Sequence, residues 1–227
     1  MAATDAAWLP ALATIGLLLA YETWTAVSRR TQPRVLARSA HASLREEWFA
    51  AVSRQSGSEV LAVQTLRNSL MSASMTASAA VLGLMGSITL AAPSLRAGFA
   101  VAGHLPQFTP RLVMELALLA LLFASLASSA MAVRYYTHAS FIGGMPVGSA
   151  ARERWTPAGC AYVRKTGLLY SFSLRNLILI VPVVAFVVHP YAGPVAALLT
   201  LYALHLFDRT RHAPAEETPP PAGDGEA

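Results

Sequence analysis

The stretch that decides the fold reads Ser58-Glu59-Val60-Leu61-Ala62-Val63-Gln64-Thr65-Leu66-Arg67-Asn68-Ser69-Leu70-Met71-Ser72-Ala73-Ser74-Met75-Thr76-Ala77-Ser78-Ala79-Ala80-Val81-Leu82-Gly83-Leu84-Met85-Gly86-Ser87-Ile88-Thr89-Leu90. After Arg67 it carries no charge through Leu90. About 20 such residues cross a hydrocarbon core of roughly 30 Å. The segment is therefore a membrane helix with a polar, arginine-marked lead.

Composition agrees. Hydrophobic residues make up 55% of the chain and charged residues 13%, where soluble domains carry roughly 25% charged. The mean hydropathy is +0.47. Net charge is +5, but the cations are nearly all arginines beside apolar runs, with Lys165 the only lysine. That arrangement encodes membrane topology, and it argues against nucleic-acid binding. The single cysteine, Cys160, can form neither an internal disulfide nor a zinc site alone.

The same test finds further spans. Residues 8–27 form an uncleaved first span, since Asp5 and the lack of Lys or Arg before Trp8 do not suit a signal peptide. The others are expected at 69–92, 111–133, 173–189 and 191–207, the last two divided by His189-Pro190-Tyr191-Ala192-Gly193-Pro194. The alternative for this end is a re-entrant hairpin that never crosses. The predicted fold is an all-α polytopic bundle of about five spans, with residues 1–210 as one membrane domain. Residues 211–227, rich in Pro, Glu and Gly, read as a disordered cytoplasmic tail.

Arginines set the orientation. Arg29, Arg30, Arg34, Arg38, Arg45, Arg54 and Arg67 lie between the first two spans. Arg134, Arg152, Arg154, Arg164 and Lys165 follow the third, and Arg209 and Arg211 end the last. Basic loops stay in the cytoplasm. The expectation is a cytoplasmic (inner) membrane protein with its N-terminus outside and C-terminus inside.

Within the first basic loop, residues 34–54 read as an interfacial amphipathic helix with a stripe of Ala37, Ala40, Leu44, Trp48, Ala51 and Val52. Arg38, Arg45 and Glu46 lie off that stripe. Ser56 and Glu59 then fit a capping box that starts the helix of the second span. Gly143-Gly144-Met145-Pro146-Val147-Gly148 reads as a flexible turn. In the second span Ser72, Thr76, Ala80, Gly83 and Ser87 trace one face, as do Ala120, Ala124, Ser128 and Ala132 in the third. Such small-residue faces suit close helix packing.

Charges near apolar spans are the candidate site, because burying one in lipid costs at least ~2.5–3.5 kcal/mol. Glu22, Arg67 and Arg175 fall at similar depth near the basic end, and Glu22 is expected to pair with Arg67 or Arg175. With Asn68 and Asn176 they form one candidate polar cluster. Arg111 and Glu115, four residues apart, form a candidate outer pair. His138 and Trp48 are placed at the interface. Leu66-Arg67-Asn68 recurs as Leu174-Arg175-Asn176, which would suit a parallel repeat of span pairs, although short matches arise by chance in a biased chain.

Three blocks carry a family resemblance: Gly57 through Met71, Met131 through Gly143, and Leu169 through Arg175 continuing to His189-Pro190. They resemble the membrane family known as domain of unknown function 599, over roughly residues 8–210. The resemblance implies a small multi-span membrane protein and assigns no activity, cofactor or substrate.

No His-Glu-x-x-His, phosphate-loop or Gly-x-Ser-x-Gly motif occurs. The expectation is a protein that is not an enzyme and holds no cofactor: a membrane subunit or scaffold. Its expected partners are the bilayer, anionic lipids at the cytoplasmic face, and either further copies of itself or a membrane complex. The alternative is a small oligomeric transporter or channel using the span hydroxyls. A remote one is a b-type haem protein, with His138 and His205 at the inner side or His104 and His189 at the outer.

Overall fold

Two capped helix starts organise the centre of the molecule. Thr109 is extended, and its hydroxyl accepts from the Leu112 amide at 3.2 Å, with Pro110 in the first turn. Ser149 does the same for the Arg152 amide at 3.2 Å. A computed structural model describes residues 6–31, 37–99 and 108–208. Its helices are α1 (Trp8–Thr31), α2 (Ala37–Val52), α3 (Glu59–Phe99), α4 (Pro110–Gly143), α5 (Ala150–Ile178), α6 (Ile180–Val188) and α7 (Ala192–Asp208). No strand occurs among the described residues. The tail at 211–227 and His104 lie outside them.

Four helical stretches are long and apolar enough to cross a membrane, and α7 is a shorter apolar helix. The expected spans are all helical, but several helices are longer than those spans. α3 has 41 residues, or about 60 Å at 1.5 Å each, twice the hydrocarbon core. Hydropathy marks only the apolar part of a helix, while the caps decide where it ends.

The largest difference is at 173–189. This span is the end of a helical rod running from Ala150 to Val188. The rod bends at Leu179, whose amide still bonds the Arg175 carbonyl at 2.9 Å. Pro182, one turn on, has no N–H to offer the preceding turn, which accounts for the break. The start of α4 and the end of α6 share a cavity with Ala7, lined also by Pro110, Phe186 and Pro190. The rod therefore travels from one end of the bundle to the other, as α4 does. The region 173–207 is thus the far half of this rod followed by a shorter apolar helix, α7. α7 returns alongside α1 until His205 meets Trp24, ring centroids 5.4 Å apart.

α4 is the central post, with α3 on one side and α5–α6 on the other. Toward the basic end the core joins Phe49 of α2, Leu66 and Ala73 of α3, Ala132 and Tyr136 of α4, and Val163 of α5. Toward the other end it joins Ala11 of α1, Met114, Leu118 and Leu122 of α4, and Val183 and Phe186 of α6. Gly193 lets α1, α6 and α7 meet: a Cβ there would sit 2.7 Å from the Thr14 hydroxyl and 2.8 Å from the Phe186 Cβ.

Three local expectations are corrected. The buried face of α2 holds Ala42, Phe49 and Val52, while Leu44 is 61% exposed and Ala51 is exposed. Arg45 and Glu46, placed off the stripe, in fact face α5, where Glu46 meets Arg164 at 3.5 Å. α2 packs on α5, so its inward face answers to that helix rather than to hydropathy. Ser56 does not cap α3. Ser58 holds that place, its hydroxyl donating to the Val52 and Gln55 carbonyls, and Glu59 reaches the Val147 amide at 3.1 Å. The turn at 143–148, expected to be flexible, is consequently tied to the start of α3.

Candidate functional site

The charge centre joins α1 to α5. On α1, Tyr21, Glu22 and Thr25 fall at three- and four-residue spacing, so they share a face. Arg175 of α5, 4% exposed, points into that face. Its Nε donates to Glu22 Oε1 at 2.7 Å and its Nη2 to Thr25 Oγ1 at 3.0 Å. Its guanidinium carbon lies 4.7 Å from the centre of the Tyr21 ring. Thr25 in turn donates to the Glu22 carbonyl at 3.0 Å.

Depth explains the match. Glu22 is 14 residues past Trp8 and Arg175 is 13 before Val188, each about 20 Å from the same end of the bundle. Two opposite charges thus arrive at one level within the apolar region, where neither alone is tolerated. The expected pairing of Glu22 is formed, and Arg175 is its partner.

The rest of the predicted cluster disperses. Asn176 is buried, its amide donating to the Phe172 carbonyl of its own helix at 2.9 Å. Arg67 and Asn68 are exposed on α3, and Arg67 borders a surface hollow with Glu59 and Gly144. The tripeptide repeat therefore has no shared role. Leu66 is buried with Arg67 and Asn68 outward, whereas Leu174 is outward with Arg175 and Asn176 buried.

Arg111 and Glu115 do pair, at 2.9 Å. Glu115 is buried and its second oxygen has no hydrogen-bond partner among the described residues, while Arg111 is exposed. His138 is exposed and lies against Tyr162, ring centroids 6.0 Å apart. His205 lies against Trp24 instead, so the two basic-end histidines face different neighbours. Trp48 is half-buried beside Phe49. No cluster of three or more His, Cys, Asp or Glu suited to a metal occurs among the described residues. Burial pushes the Cys160 thiol up, with Glu46 adding to it, which opposes a reactive thiolate.

Two polar groups escaped sequence reading. Ser125, Ser129 and Ser173 meet in the bundle: the Ser173 hydroxyl lies 2.9 Å from that of Ser125 and 3.0 Å from that of Ser129. Ser129 also donates to the Ser125 carbonyl. The α4 stripe named Ser128, a neighbour of this face. Arg152 was counted only as a topology signal, yet it is 1% exposed. Its Nη1 donates to the Ile142 and Met145 carbonyls at 2.5 and 3.1 Å, and its Nη2 to Ser53 Oγ at 3.2 Å. The signal was available: Ser149 at the start of α5 fixes Arg152 one turn in, directly after the end of α4.

The span hydroxyls of α3 mostly serve their own helix. Thr76 is buried and donates to the Ser72 carbonyl at 2.9 Å, Ser72 is exposed and donates to Asn68 at 3.2 Å, and Ser87 is half-buried. Neither the buried arrangement that a scaffold requires of all of them nor a lined cavity holds throughout.

The family described as "Protein of unknown function, DUF599" matches residues 10–213. The chain belongs to that family. No curated protein and no solved structure matches it. The DUF599 match runs from the start of α1 past the end of α7, so Glu22, Arg152 and Arg175 all fall within it. The first two resemblance blocks face each other: a Cβ on Gly143 would touch Leu66 at 3.4 Å and Ala62 at 3.9 Å. The third block carries Ser173 and Arg175.

Proposed function

We propose that this DUF599 protein is a non-catalytic subunit or scaffold of the cytoplasmic membrane, with its basic end toward the cytoplasm. The observation that carries the reading is how the polar groups of the apolar region are engaged. Glu22, Thr25 and Arg175 hold one another, and Ser125, Ser129 and Ser173 do the same. A transport path needs polar groups turned toward a passing solute, whereas these groups tie helices together. Meanwhile α3 leaves Met71, Met75, Leu82, Met85 and Ile88 exposed, a surface that lipid or partner helices cover.

Purification in mild detergent followed by mass spectrometry tests the reading. It is supported by a stable complex with another membrane protein. A homo-oligomer that retains a polar solute would replace it with the transporter reading. A reporter at Ala227 that matures only outside the cytoplasm would reverse the orientation.

A further inference from the structure

A groove of about 310 Å³ opens where α2 crosses the basic end of α3, α4 and α5. Leu66 and Val163 form apolar wall, and Thr65, Ser69 and Tyr136 bring hydroxyls. Trp48 and the exposed Leu44 edge it on the α2 side. Arg45 supplies the only charge among its lining residues.

Arg45 is held there by a vacancy in α5. Gly167 is buried, and a methyl group at that position would overlap the Arg45 guanidinium. Among the described residues no carboxylate pairs with this half-buried cation: Glu46, next in sequence, is engaged with Arg164 at 3.5 Å. Tyr136 and Ser69 line the groove together with Arg45. A guanidinium with neighbouring hydroxyls above an apolar wall matches a phosphate ester carrying an acyl chain. The level is also right. Arg134 precedes Tyr136 on α4, and Lys165 of α5 donates to the Tyr135 hydroxyl at 2.8 Å, marking the headgroup zone.

We propose that this groove binds one anionic phospholipid, its phosphate on Arg45 and the upper part of a chain along Leu66 and Val163. The site is separate from the Glu22–Arg175 centre. It sharpens the expectation of anionic lipid partners to one place, and it does not depend on a subunit role.

The test is native mass spectrometry of the full chain in detergent, with phosphatidylglycerol or phosphatidylcholine added. Wild type is expected to retain phosphatidylglycerol preferentially, and Arg45→Gln to lose about tenfold of that retention, or about 1.4 kcal/mol. Arg67→Gln, which removes an exposed arginine, is expected to retain it as wild type does. Gly167→Ala keeps the charge but evicts the guanidinium, and is expected to lose retention as well. Arg45→Lys guards against a folding defect, since it must retain more than Arg45→Gln. Equal retention by wild type and Arg45→Gln overturns the proposal, as does equal binding of phosphatidylcholine. Displacement by inorganic phosphate alone would likewise overturn it, because it would show an anion site without a lipid. Retention is read on the isolated chain, so it stands or falls apart from any complex.

Discussion

The Arg175 guanidinium lies 2.7 Å from the Glu22 carboxylate, joining helices α1 and α5 across 153 positions of sequence. The two partners are unequally placed: the Arg175 side chain is 4% exposed and that of Glu22 34%. Removing the carboxylate leaves a buried guanidinium without its counter-charge. Glu22→Gln is therefore expected to destabilise the fold by about 3 kcal/mol. Arg175→Met should cost less, because the freed carboxylate can turn toward interfacial water. The double variant should cost less than the sum of the singles. Unfolding of detergent-solubilised protein by a denaturing detergent measures all three, and strict additivity would show that the pair is not coupled.

Gly159 is a packing requirement. A Cβ there would overlap the ring of Phe49 and lie 3.3 Å from Ile142. Phe49 is fully buried at the centre of the basic-end core, so it has no room to retreat. Gly159→Ala should destabilise by about 1–3 kcal/mol through overpacking. Adding Phe49→Leu should recover part of the loss even though that change alone is destabilising. Failure of the second change to restore anything would place the strain elsewhere.

The serine cluster should matter less than its burial suggests. Ser173 meets Ser125 and Ser129 across the α4–α5 contact. Hydrogen bonds between membrane helices average about 0.6 kcal/mol, because the unfolded state in the bilayer also finds partners. Ser173→Ala is expected to cost less than about 1 kcal/mol by the same unfolding measurement. A loss several times larger would mean that the cluster has a role beyond helix pairing.

These contacts show which parts of the fold were legible in the sequence. Charge-free runs announced the apolar spans, and equal depth announced Glu22 with Arg67 or Arg175 as its partner, because bilayer thickness acts on each segment separately. Hydropathy could not choose between Arg67 and Arg175. That choice depends on rotation about the helix axis: Leu66 turns inward and leaves Arg67 exposed, while Arg175 itself turns inward. The face of α2 was misjudged for the same reason. Its neighbour is α5, whose Gly159 admits Phe49 and whose Gly167 admits Arg45. A glycine that makes space for a distant side chain leaves no periodic trace in the sequence. Caps, by contrast, were partly readable, yet Ser58 rather than Ser56 starts α3 because Glu59 is drawn to the Val147 amide.

Glu59 offers a pH test outside the apolar run of α3. Its own helix-start amide, then the Val147 amide, hold its carboxyl below the ordinary 4.5. A depressed pKa means stability that is fully present above the unfolded value and lost as pH falls through the folded one. Acidification below about 4.5 should therefore loosen the turn at 144–148. Glu59→Gln should lose this part of the acid response while keeping most of the neutral-pH stability. Hydrogen exchange at the Val147 amide reports it, and an unchanged acid profile in the variant would exclude Glu59 as the cause.

Arg152 closes the basic end. The last turn of a helix leaves carbonyls without partners; Nη1 of Arg152 answers that of Ile142 at the end of α4 and that of Met145 in the turn beyond it, and Nη2 meets Ser53 after α2. Its guanidinium carbon also lies 5.9 Å from the centre of the Phe49 ring. One side chain thus joins the α2–α3 turn to the α4–α5 turn. Arg152→Ala removes these donors and leaves the buried acceptors unmet, so a loss of about 3–5 kcal/mol is expected. Arg152→Lys should fall between wild type and alanine. A single ammonium can serve the α4 carbonyls or Ser53, but it lacks the fork that reaches both. The distinguishing measurement is hydrogen exchange in the segments 53–58 and 143–149. Both should open together in Arg152→Ala, and only one of them in Arg152→Lys. Opening of the two segments independently of each other would show that Arg152 caps α4 without coupling the hairpins.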